Sequence, residues 1–378
     1  MLLGDFGADV IKVERPKTGD QSRGWGPPFM GSESAYYLAA NRNKRSIVLN
    51  YDDSRGSEIL QRLIAAADVF ISNQPSLDSL RKRGIDPQTL QARYPRLIHC
   101  SITGYGFTGP KAGRPGYDLL AQAESGVMSF TGEPGGGPMR SPMAIADMTC
   151  GMYAAMGILG ALFARERTGC GEFIDMALFD SQLTWLASAA SSYLNAHVSP
   201  ERWGNAHPNI VPYQVFRGSD GKHFVVAVGT QALWTKFVDV LNARSTLGED
   251  ARFASNASRI AHRDTLIPLL QERFDREASP TWLEKLAHAG IPSGPINDVP
   301  EALDDAQAHA RGLIVQLEHP ALGEVRSIAN PIRFSGMPVS YRLPPPLLGE
   351  HTAEILRELG YSDGEAAGAA SSPTVRSS

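Results

Sequence analysis

The sequence predicts an α/β fold: a large domain on a parallel sheet with helices on both faces, joined to a smaller α+β domain. Three observations predict it. Short apolar runs alternate with helical stretches through the first third; a long apolar helical run follows an acidic turn at Asp147; and from residue 204 the pattern changes to a hairpin followed by helices. Parallel strands cannot be joined by tight turns, so strand–helix–strand alternation is the form such a sheet takes in sequence.

Taken in order, VIKV at residues 10–13 is a short apolar strand interrupted by one Lys, and residues 46–49 supply another. A polar turn at 52–54 then leads into a helix through Ile59, Leu60, Leu63 and Ile64, and residues 69–72 and 96–102 give two further strands. The run MRSPMAIADM reads as a small-residue strand ending in Asp147, with a helix beginning at once and offering Met148, Met152, Met156, Leu159 and Phe163 at helical spacing. Apolar stretches at 213–216 and 223–228 flank a turn at 218–221 and predict a hairpin. Helices follow at 232–241, 263–274 and 279–289. The expected domains are 1–203 (large), 204–299 (small) and 300–360 (a return to the large domain), with a disordered Ala/Gly/Ser-rich tail at 361–378.

Composition sets limits. With 378 residues, 42% of them hydrophobic and 20% charged, the chain can bury one large core or two. Thirty-six basic against 40 acidic residues leave a formal charge of −4, which gives no bulk attraction for nucleic acid or a membrane surface. The three cysteines form no CxxC pair and have no metal-ligand spacing with the nine histidines, so no metal is expected and a reducing cytoplasm is the simplest location. No uninterrupted apolar run is expected to reach the ~18 residues that span a bilayer. GDFGADV is not a dinucleotide fingerprint, since its glycines, Gly4 and Gly7, precede a strand and open no helix.

In open α/β sheets ligands collect beyond the carboxyl ends of the strands. That rim carries Glu14 and Arg15, then Asn73, then Thr103, Gly104, Tyr105 and Gly106: a guanidinium, an amide and a glycine turn, which suit a phosphate-bearing ligand. Asp147 lies where unpaired helix N–H groups and the positive dipole end favour an ionised carboxylate. An Asp at a helix start most often serves only as a cap, worth about 1 kcal/mol.

The surrounding pattern gives Asp147 another role. GYDLLAQA (116–123), the IADMTCG turn and RERTGCGEFID (165–175) accompany GADVIKVERP, RGWGPPF, NRNKRSIVLN, ADVFISN, HPNIVPYQVF, GIPSGPIND and PPPLLGEHTAEIL, in that order along nearly the whole chain. Together they resemble the class III CoA-transferases, the family of formyl-CoA transferase and carnitine CoA-transferase, and look most like the succinyl-CoA:glutarate branch. The resemblance implies a Rossmann-like large domain in the class III CoA-transferase fold, with Asp147 as nucleophile and Arg15, Asn73 and Arg81 as CoA contacts. It implies CoA transfer from an acyl-CoA such as succinyl-CoA to a small dicarboxylate such as glutarate, by way of an aspartyl mixed anhydride and an aspartyl-CoA thioester. CoA is then a substrate, and no cofactor is needed. Relatives form interlocked homodimers, so a homodimer is the expected partner state. The chain starts in what resembles the second half of the family's first helix, so the first strand and its CoA-contacting turn are expected to be missing.

Two alternatives stand beside transfer. An α-methylacyl-CoA racemase needs an acid and a base across an α-carbon, and racemases carry a His–Asp pair where this chain has Tyr117 and Asp118; Tyr, with a pKa near ~10, is a poor substitute, and Asp118 reads as a structural hydrogen-bonder. The other is a CoA-binding protein without catalysis. Arg42, Arg45 and Arg140 are candidates for a second substrate carboxylate, each also readable as a structural arginine. His207, in an HP turn, reads as structural. The Gly229, Thr230, Gln231 turn departs from the triple-glycine loop of formyl-CoA transferase.

Overall fold

Val10–Glu14 and Lys44–Val48 pair in parallel, Val10 opposite Lys44 through Glu14 opposite Val48, in a computed structural model that describes residues 1–362 and 364. Ile47 buries its side chain against Ile59 of the helix Ser54–Ala66 and against Ile355 and Leu356 of the helix Thr352–Glu358. The Ser54–Ala66 helix starts where the sequence placed a polar turn, because the Asp53 carboxylate accepts the Gly56 N–H at 2.7 Å.

Val69–Ser72, Ile98–Thr103 and Phe173–Ala177 form a second parallel sheet. By hydrogen bonding, the strands expected in one sheet therefore belong to two. The central strand begins two residues later than expected, since Leu97 donates to Tyr94 O at 2.9 Å and closes a turn there. Phe173–Ala177, with Asp175 at its centre, was not expected as a strand.

The long helix is Ile145–Thr168. Residues 139–144 before it form no strand, so Asp147 is not the end of a strand but the third residue of the helix. The buried face is the small one: Ala146, Cys150, Ala154 and Ile158 recur every fourth residue, and Ala154 and Ile158 pack on Ile98 and Cys100. The larger residues noted at helical spacing, Met148, Met152, Met156, Leu159 and Phe163, are exposed, with Met156 at 64% and Phe163 at 63%. This helix is also long and apolar enough to cross a bilayer by length and composition, contrary to the expectation from the sequence. Its small face on the sheet makes it the packing helix of an α/β layer.

The described chain divides into two compact units: Met1–Ala121, Ala144–Trp185 and the chain from Leu303 in one, Gln122–Met143 and Leu186–Ala302 in the other. The second unit thus takes in residues 122–143, 186–203 and 300–302 besides those expected for it. In it, Tyr213–Arg217 and His223–Ala227 form the expected hairpin, and Ser293–Pro295 adds a third antiparallel strand. Phe216, Phe224, Trp234, Phe237, Phe274 and Trp282 fill its core, and the Trp282 indole donates to Phe274 O at 2.9 Å. In the first unit, Ile314–His319 and Gly323–Ile328 pair antiparallel. Apart from residues 361, 362 and 364, the tail expected to be disordered lies outside the described residues.

Candidate active site

The start of the Ile145–Thr168 helix has no side-chain cap of its own from Ala144. A distant residue supplies it: Asp118 Oδ1 accepts the Ala146 N–H at 2.8 Å across 28 residues of sequence. Asp147 is thereby released from capping. Its carboxylate forms no hydrogen bond or ion pair with the described residues, and the residue is open to solvent.

Its ionisation follows from two opposing influences. The first turn's dipole favours the charged form. Partial burial in the surrounding protein, and secondarily the Asp118 carboxylate, oppose it and win: the Asp147 carboxyl is pushed up to about 6 from an ordinary 3.8. At neutral pH it is still largely ionised, and more basic than a free aspartate. Around the next turn, burial and then Asp147 and Asp180 push the Cys150 thiol up, while a Ser181 hydrogen bond works against them.

Asp118 is placed by a close crossing of two backbones. A methyl group on Gly104 would lie 2.5 Å from Gly116 Cα, and one on Gly116 would lie 2.2 Å from Gly104 Cα. Only glycine at both positions lets residues 104–107, just past the central strand, touch the chain leading into Tyr117 and Asp118. Phe179 N–H also donates to Gly104 O at 3.1 Å. Tyr117, 59% exposed, stands beside an Asp118 already committed to the helix.

At the other strand ends, Arg15 donates through Nε to the Tyr51 hydroxyl at 2.9 Å, lies 3.6 Å from Asp52, and stacks 5.0 Å from the Tyr51 ring centre. Asn73 is exposed directly after Val69–Ser72. Arg81, in the helix Leu77–Lys82, pairs with Asp78 at 3.1 Å and is exposed. Reasoning from the sequence missed Arg83, which binds Asp52 at 2.8 Å and approaches the same Tyr51 ring at 5.5 Å. Arg15 and Arg83 therefore share one aromatic platform, whereas Arg81 turns to its own helix. No hydrogen bond or ion pair joins Asp147 to Arg15, Asn73 or Arg81 among the described residues. Behind Asn73, Ser72 bonds Ser101 at 2.6 Å and His99 Nε2 at 3.2 Å; burial drives His99 down to about 4, so it is neutral.

Two of the arginines proposed for a second carboxylate are already engaged. Arg42, 1% exposed, holds Asp5 at 2.7 Å and the Ile328 carbonyl at 2.6 Å. Arg45 clamps Asp9, Glu354 and Glu358. Both act as structural ties between the chain's beginning and its end. Arg140, in the second unit, is exposed and donates to Pro142 O at 3.1 Å. His207 accepts the Asn209 N–H at 3.0 Å through Nδ1, a structural turn. Among the described residues no group of His, Cys, Asp and Glu could hold a metal ion.

Comparison with known proteins decides the family. Residues 1–352 match the pattern of CoA-transferase family III. The chain belongs to that family. It is 41% identical to a human protein named succinyl-CoA:glutarate CoA-transferase, over 96% of this chain and 82% of that one, and 42% identical to the succinate–glutarate CoA-transferase of Agrobacterium fabrum, over 95% and 90%. Among solved structures, a CAIB/BAIF family protein from Brucella suis superposes with a TM-score of 0.83 at 43% identity, covering 94% of this chain and 93% of that one. Rv3272 from M. tuberculosis superposes at 0.81 with 28% identity, covering 94% and 92%. The chain is thus an enzyme of CoA transfer in the class III fold.

Proposed function

We propose that this enzyme moves CoA from succinyl-CoA to glutarate with Asp147 as the covalent nucleophile. The observation that carries the mechanism is the uncommitted Asp147 carboxylate in a helix turn whose capping is done by Asp118. The substrate pair rests on the names of the relatives at about 41–42% identity.

The carboxylate attacks the succinyl thioester carbonyl; the C–S bond breaks, CoA leaves as thiolate, and an aspartyl–succinyl anhydride remains. Thiolate return to the Asp147 carbonyl breaks the anhydride C–O bond, freeing succinate and leaving an aspartyl-CoA thioester. Glutarate then attacks that thioester, and the same two steps in reverse release glutaryl-CoA and free Asp147. Arg15, Asn73 and Arg81, at or beside the strand ends, hold CoA by charge-assisted and amide hydrogen bonds. Incubating the protein with succinyl-CoA and glutarate and following thioesters by mass tests the reading; glutaryl-CoA is the expected product, and its absence alongside CoA transfer to another dicarboxylate corrects the acceptor.

The same reading includes a homodimer in a reducing cytoplasm, where the free thiols Cys100, Cys150 and Cys170 stay reduced. Its support is the exposed stripe of Met148, Met152, Met156, Leu159 and Phe163, a large apolar face that a second copy would cover.

A further inference from the structure

Resting on the transfer reaction through Asp147, a further residue takes part at one remove. The turn at 104–107 is pinned from the next strand: Asp175 Oδ2 accepts the Phe107 N–H at 3.0 Å, and the Thr103 hydroxyl accepts the Gly106 N–H at 2.8 Å. Gly106 adopts φ +78, and its Cα faces the Asp175 carboxylate, so a methyl there would sit 3.5 Å from Oδ2. Asp175 stands across from Ser101 in the parallel register, two residue pairs short of the strand ends, and its carboxylate reaches the turn at Phe107. The pinned turn supports Gly104 against Gly116, and two residues further on Asp118 caps Ala146. One chain of contacts thus runs from Asp175 to the helix turn that carries Asp147.

We propose that Asp175 is a positioning residue for the transfer reaction: by holding the Phe107 N–H it fixes the 104–107 turn against Gly116, and through Asp118 it sets where the nucleophile stands. Asp175 touches neither Asp147 nor the reacting thioester; its effect falls on the geometry of attack. Misplacement of a reacting group by about 1 Å can cost on the order of a hundredfold in rate. A loss confined to positioning therefore appears in kcat, with the binding of CoA itself preserved.

The test compares Asp175→Ala, Asp175→Asn and Thr103→Val in succinyl-CoA:glutarate exchange, with thermal melting and calorimetric CoA binding alongside. Asp175→Ala is expected to lower kcat at least about tenfold while the KM for succinyl-CoA changes less than about threefold. Asp175→Asn keeps an oxygen for the Phe107 N–H and is expected to retain most of the activity. Thr103→Val removes only the Gly106 contact without changing shape, and repeats the kcat loss if Asp175→Ala proves too unstable to assay. Wild-type kcat in folded Asp175→Ala and Thr103→Val overturns the proposal, as does an Asp175→Asn no better than the alanine variant. If the wild type labels at a residue other than Asp147 on incubation with acyl-CoA, the underlying reading has failed instead, whatever the variants do.

Discussion

The ionisation of Asp147 predicts an acid limb in the pH profile. In the proposed reaction the carboxylate is the attacking form, and its folded pKa is raised from 3.8 to about 6, so activity should be present above that value and fall as pH drops through it. With a pKa near 6 the group is ~90% ionised at pH 7 and ~10% ionised at pH 5, so kcat/KM should fall about tenfold between them; at 3.8 it would still be ~94% ionised at pH 5 and the rate would barely move. Burial is the larger cause and Asp118 the smaller. Asp118→Asn, whose amide oxygen still accepts the Ala146 N–H, should therefore move the limb down by under about one pH unit, leaving it above the ordinary range. The assay is initial-rate glutaryl-CoA formation from pH 4.5 to 8 at subsaturating succinyl-CoA. A wild-type limb near 4, or an upward movement in Asp118→Asn, would refute the reasoning.

The same shift bears on stability with the opposite sign: a carboxyl whose folded pKa is raised stabilises the fold fully below its unfolded value and loses that contribution as pH rises through about 6. Asp147→Asn should thus melt higher than the wild type at pH 7.5 and equally at pH 3.5, while exchange is abolished; full exchange in the Asn variant sinks the nucleophile assignment. Alanine at Arg15 or Arg81 should weaken CoA by about 1–3 kcal/mol in calorimetry, and unchanged affinity in both would show the strand-end rim misassigned. Phe163→Glu together with Met156→Glu should convert a dimer to a monomer in light scattering, and a wild-type monomer would refute the covered stripe. In heavy water, a 2-methylacyl-CoA should gain no α-deuterium, because Tyr117 offers no imidazole and Asp118 is tied to Ala146 N–H; rapid exchange without CoA movement would favour racemisation.

Local physics made much of the fold legible. Asp53 followed by Ile59, Leu60 and Ile64 announces a capped amphipathic helix, and the turn at 218–221 between two apolar runs announces the hairpin. What failed needed partners remote in sequence. The helical spacing of Met148, Met152, Met156, Leu159 and Phe163 did not say which face meets the sheet, and the sheet accepts the small face of Cys150, Ala154 and Ile158. Arg42 and Arg45 were indistinguishable from ligand arginines until Asp5, Asp9, Glu354 and Glu358 came beside them. The Asp118 cap on Ala146 spans 28 residues, beyond any reading of helix signals in one segment.

That remote cap also resolves an apparent conflict at the site. A carboxylate at a helix start ordinarily serves the backbone, and doing so lowers its basicity by hydrogen bonding to the charged form. Such an aspartate is a poor nucleophile because its electrons are already directed at N–H groups. Here Asp118 satisfies the Ala146 N–H, a division that in the proposed reaction leaves the lone pairs of Asp147 for the substrate. Asp118 pays for the division by adding a like charge nearby, which raises the basicity of Asp147 further. A carboxylate near 6 is still mostly ionised at neutral pH and holds a bond to an acyl carbon better than one near 4. In the proposed reaction it must nonetheless leave in the last step, when CoA thiolate attacks the glutaryl carbonyl of the second anhydride, and a much more basic group would leave poorly and carry a proton at pH 7. On the mechanism we propose, the placement of Asp118 thus tunes one carboxylate to serve as nucleophile in one step and leaving group in another.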